Sequence, residues 1–101
     1  MTNLIPDLVG NTSIRITWKP PEDISWTIKR FEVEWFDTEN SKLVGKDVVN
    51  DATAKLIEGL EYGTEYEIRV TPLGAISARG EIERILITTL GKDFIDIYSF
   101  F

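Results

Sequence analysis

Asp and Glu, 17 in all, are the plentiful groups in this 101-residue sequence that could move a proton or hold a cation. Histidine and cysteine are both absent. The first absence removes the commonest general base and metal ligand, and the second removes thiolate nucleophiles, disulfides and cysteine-based zinc sites. What carboxylates could still do is glycoside hydrolysis, which needs a pair whose environments push their pKa values apart. The pattern does not favour such a pair. Glu32 and Glu34, and again Glu65 and Glu67, alternate with apolar residues, which places them on outward strand positions in water. A calcium loop of alternating acids around a glycine is also missing. The expectation is a protein that is not an enzyme and uses no cofactor or metal.

Other residues suggest contact or modification. Asn11-Thr12-Ser13 is an N-glycosylation sequon if the chain passes through a secretory pathway. The competing reading is a Gly10-Asn11 turn chosen for positive φ, with Ser13 following by chance. Trp26 falls in a loop near Ile24 and Ile28, where it would either anchor an interface or fold down to cap the end of the domain. The tail from Phe94 to Phe101 holds three Phe, one Tyr and two Ile, and such a segment is poorly suited to water. Phe94, Tyr98 and Phe100 in it are candidate contact residues. The tail reads as the stump of a following module, as an extra strand or flap, or as a strand that binds a partner or a second copy.

The elements that must position these residues are short strands. Ile14-Arg15-Ile16-Thr17-Trp18, Phe31-Glu32-Val33-Glu34-Trp35 and Tyr66-Glu67-Ile68-Arg69-Val70 each alternate apolar and polar residues at period two. Pro20-Pro21 stops the first of them. Leu43-Val44 and Val48-Val49 are weaker signals on either side of Gly45-Lys46-Asp47, and Leu56-Ile57 and Ile85 to Thr89 complete the set. No window keeps a 3.6 period, so no substantial helix is expected. Strands with one apolar face each need a second sheet to cover it, so the fold class is all-β, a two-sheet antiparallel sandwich. A chain of this length buries roughly 60–70% of its unfolded surface, enough for a core without staples. The formal net charge is −6, which repels phosphate backbones and argues against nucleic acid and anionic membrane as partners. No apolar run nears the ~18 residues that span a bilayer, so no direct membrane insertion is expected. Met1-Thr2-Asn3 does not open a signal peptide, and any such signal would lie outside this chain. If the strands with Glu34 and Arg69 are neighbours, Arg69 should face a glutamate across the pair.

These segments, in this order and spacing, resemble the fibronectin type III domains over about residues 4–89. Pro6-Asp7-Leu8 matches the opening strand, and Trp18 followed by Pro20-Pro21 matches the family's buried tryptophan and proline-marked loop. Phe31 to Trp35 looks like its aromatic-x-Val-x-aromatic strand. Gly59-Leu60-Glu61-Tyr62-Gly63-Thr64-Glu65-Tyr66-Glu67-Ile68-Arg69-Val70 is similar to the family's Gly-Leu-x-Pro-x-Thr-x-Tyr-x-Val-x-Val, and Thr88-Thr89 to its closing pair. The resemblance implies an immunoglobulin-like Greek key of about seven strands over residues 1–89, with 90–101 as an apolar and aromatic extension. Trp18, Leu60 and Tyr66 are then structural, with the Tyr66 hydroxyl bonded to backbone a few residues upstream in a tyrosine corner. An antibody-type sandwich would place a cysteine where Ile68 stands. Three positions depart from the pattern. Tyr62 replaces the turn proline, Lys55 sits at a usually apolar position and points to a shifted register, and Pro72 is expected to end its strand or force a bulge.

Arg79-Gly80-Glu81 falls in the loop where some family members carry the integrin-binding Arg-Gly-Asp. The extra methylene of Glu81 disfavours that match, and a flexible loop tip is the plainer reading. The resemblance implies a non-catalytic protein-interaction and spacer module, one domain of a larger extracellular or cell-surface protein with a role such as adhesion. An intracellular setting stays open. The alternatives are an accessory domain of a secreted multidomain enzyme and an isolated binding scaffold. Expected partners are a protein or neighbouring domains of the same chain, with self-association through the tail also open.

Overall fold

The computed structural model describes residues 2–19, 30–50, 52–73 and 82–91. Within them run seven strands: β1 (Thr2–Val9), β2 (Ile14–Lys19), β3 (Arg30–Asp37), β4 (Lys42–Asn50), β5 (Ala54–Ile57), β6 (Glu65–Leu73) and β7 (Glu83–Thr88). They form two antiparallel sheets ordered β1-β2-β5 and β4-β3-β6-β7. The alternation in sequence becomes the two faces of each sheet. Ile14, Ile16 and Trp18 of β2 pack against Phe31 and Val33 of β3 and Tyr66, Ile68 and Val70 of β6. The Trp18 and Phe31 rings meet edge to face, 5.3 Å between centroids. Leu4, Ile57, Leu60 and Ile87 complete the buried apolar cluster.

Lys55 keeps the unshifted register. It pairs with Ile16 just as Ile57 pairs with Ile14, so it occupies an inward-side position. Its long stem lets the ammonium escape the core and reach Asp47 on β4, with Nζ donating to Oδ2 at 2.7 Å. Pro72 neither ends β6 nor bulges it, because β6 runs to Leu73 with Pro72 opposite Phe31. Among the described residues the last β6–β7 pair is Val70 with Glu83, so no described residue of β7 stands opposite Pro72 to need its missing N–H. The two weak signals around Gly45 are one continuous strand, with a register shift between Trp35 and Phe36 of its partner. Gly45 sits opposite Trp35, and a Cβ there would stand 2.5 Å from Trp35 Cζ2. Glycine at this position is therefore what lets the indole lie across β4.

Candidate interaction surfaces

The strand directions give the sandwich two distinct ends. β1 enters at Thr2, paired with Lys19, and the connections β2–β3 and β6–β7 leave from that same end. At the far end gather the Gly10–Ser13 turn, residues 38–41, residues 58–64 and the stretch after β7. Trp26 belongs to the β2–β3 connection and Arg79, Gly80 and Glu81 to the β6–β7 connection, and all four lie outside the described residues. Phe94, Tyr98 and Phe100 lie outside them as well.

The exit end is built around Tyr66. Its hydroxyl accepts the Glu61 N–H at 2.9 Å, which is the expected corner. Thr89 locks that corner to the end of β7. Its Oγ1 accepts the Thr64 N–H at 2.9 Å and donates to the Glu61 carbonyl at 2.6 Å, and its own N–H donates to the Thr64 carbonyl. The Gly63 N–H then donates to the Leu90 carbonyl, and the Leu90 N–H to the Gly10 carbonyl. Gly63 holds φ of 53°, a value that favours glycine, and it follows Tyr62 in place of the proline. Thr88-Thr89 was legible as a closing pair, but the role of Thr89 depends on residues 25 and 28 positions away.

Asn11 and Thr12 form the tip of the tight connection between β1 and β2, closed by the Gly10 N–H donating to the Ser13 carbonyl at 2.8 Å. Neither Gly10 nor Asn11 has positive φ. The reading of Asn11 as a residue chosen for left-handed backbone therefore loses its reason, while the sequon stays on a half-exposed turn.

On the outward face of the larger sheet, Arg69 does pair in register with Glu34, yet its guanidinium bonds Glu67 on its own strand. It also lies over the Phe36 ring, 4.3 Å from the centroid. Phe36 was visible in the alternation, since it continues the outward series of Glu32 and Glu34. Asp37 is half-buried and Asp47 exposed, and both are held below the usual carboxylate pKa. Hydrogen bonding from Asn40 is the main cause for Asp37, and from Lys55 for Asp47. Carboxylates stabilised as anions are suited to fixing turns and edges, not to giving up protons as acids. Among the described residues no cluster of three or more Asp and Glu is placed to hold a metal.

A family model for the fibronectin type III domain matches residues 2–88. Among solved structures, an FN3 domain of human collagen XX is similar at 27% identity and a TM-score of 0.75, covering 87% of this chain and 88% of that one. The FN5 domain of Drosophila Lar is similar at 25% identity and a TM-score of 0.69, covering 88% and 92%. A computationally redesigned β-sandwich protein shares the fold at 20% identity and a TM-score of 0.75, covering 90% and 94%.

Proposed function

Because the chain belongs to the fibronectin type III domain family, a common module of larger proteins, we propose that it is a non-catalytic interaction and spacer module of an extracellular or cell-surface protein. The observation that carries this reading is the placement of its ends. β1 starts at one end of the sandwich and the stretch after β7 leaves at the other. A domain threaded in this way adds its length to a chain of domains. The connections bearing Trp26 and Arg79-Gly80-Glu81 both spring from the entry end, where a tryptophan and an arginine are the residue types that anchor contacts. The negative surface suits a protein partner or a neighbouring domain, and nucleic acid is disfavoured.

A head-to-tail concatemer of three copies tests the spacer role by small-angle scattering. Its maximum dimension should grow in proportion to copy number, and a collapsed particle would overturn the reading. The contact role is tested by plating cells on the immobilised domain. Attachment should occur, should be lost in Trp26→Ala or Arg79→Ala, and should survive Leu86→Ala on the sheet face. No attachment to the unaltered domain would defeat the adhesive reading.

A further inference from the structure

A cleft of about 340 Å³ lies at the exit end, between β4 and the connection from β5 to β6. Asp37, Lys42, Leu43 and Val44 line one side of it, Gly59 and Glu61 the other, and buried Tyr66 lies at its floor. Asp37 pairs with Lys42 on one side and with Tyr66 on the other. It therefore follows Phe31, Val33 and Trp35 on the inner face of the larger sheet, where that face leaves the core. The Glu39 N–H and the Asn40 amide donate to its two oxygens and fix the carboxylate in place. Opposite it, Tyr66 and Thr89 hold the Glu61 backbone, while the Glu61 side chain makes no ion pair among the described residues. The ladder skips Val44, since Trp35 pairs with Gly45 and Phe36 with Leu43. Such a bulge re-aims side chains, and here Leu43 and Val44 both line the cleft. A Cβ on Gly59 would meet nothing within 4 Å, so that wall is unobstructed.

We propose that this cleft seats an arginine side chain presented by a protein partner. Its volume is at the small end of the roughly 300–1,000 Å³ that ligand pockets occupy, which suits one long side chain. The two carboxylates outnumber the single ammonium of Lys42, so the lining is anionic. A guanidinium matches carboxylates with a planar fork of donors, and its methylene stem matches the exposed faces of Leu43 and Val44. Other occupants fit less well. Lys42 would repel a metal ion, the carboxylates would repel an anion, and an apolar side chain would cover both carboxylates without pairing them. The seat rests on the reading of the domain as an interaction module. It lies at the opposite end from the connections that bear Trp26 and Arg79, so the two contacts are tested separately.

Titrating blocked arginine, acetyl-arginine N-methylamide, into the full chain while following methyl and amide NMR signals tests the seat. Leu43, Val44 and Gly59 should shift and saturate, while Ile5 and Leu86 stay in place. The citrulline analogue keeps the shape without the charge and should bind at least about tenfold more weakly. Glu61→Gln should weaken binding of the arginine probe severalfold. Val44→Lys, which places a cation of the chain's own at an exposed position on the cleft, should abolish it. Equal binding of citrulline, saturable shifts only outside the cleft, unchanged affinity in both variants, or no shift at all would each overturn the seat. A domain that binds the probe but attaches no cells defeats the adhesive reading alone. One that attaches cells but ignores the probe defeats the cleft alone.

Discussion

Two buried threonines show how one residue type serves opposite ends. Thr89 spends its hydroxyl on the Thr64 N–H and the Glu61 carbonyl, whereas the Thr71 hydroxyl, fully buried on β6, has no hydrogen-bond partner among the described residues. Replacing Thr89 with Val leaves two corner groups unpaired, and chemical denaturation should show a loss of about 2 kcal/mol. Replacing Thr71 with Val removes an unpaired polar group at nearly the same shape and should gain about 1 kcal/mol by the same measurement. A loss at Thr71 would show that its hydroxyl is bonded in solution. Both residues look alike in sequence, as polar β-branched residues at or near a strand end, because a partner 25 positions away leaves no local mark. Asp47 offers a pH test. Its folded pKa lies below the ordinary 3.8, chiefly through the Lys55 bond. Its stabilising contribution is therefore present above about 3.8 and is lost as pH falls through the lowered folded value. The pair is half in water, so Asp47→Asn should cost only about 0.5 kcal/mol at neutral pH. The difference from the parent protein should vanish in melts taken at the acid end.

At the scale of strands, β4 carries the clearest lesson. Glycine and two charges in Gly45-Lys46-Asp47 read as a break between two short strands, yet the ladder to β3 runs from Asn50 to Lys42. What holds it there is the Trp35 ring, which needs the space that only glycine leaves. Gly45→Ala should accordingly destabilise the domain by about 1–3 kcal/mol, the usual effect of overpacking. Tryptophan fluorescence should shift in the folded state as the indole is displaced, and an unchanged spectrum with unchanged stability would refute the packing argument. Lys55 and Pro72 were misread for a related reason. Each breaks a local rule, but a four-methylene stem carries the Lys55 charge out to Asp47, and the pairing with Phe31 keeps Pro72 within β6. The alternating runs of β2, β3 and β6 were legible because periodicity records burial directly.

For the whole molecule, the core is closed by residue 89 and the chain leaves through backbone bonds to Gly63 and Gly10. A chain ending at Gly91 should keep a single cooperative thermal transition. A collapse of the melting temperature would instead make the tail part of the core. Two-sheet architecture and the buried faces could be read from spacing along the strands, and the corner tyrosine from the family resemblance of residues 59–70.

Other features needed the tertiary structure. The order β4-β3-β6-β7 sets Arg69 over Phe36, and the meeting of residues 61, 64 and 89 makes Thr89 a clamp. The opposed ends of the sandwich also come from strand pairing. Sequence alone determined a sandwich without histidine or cysteine chemistry, because composition and period-two burial are properties of single residues and single strands. Only the fold decided which outward residues become neighbours, because that depends on contacts between strands far apart in the chain.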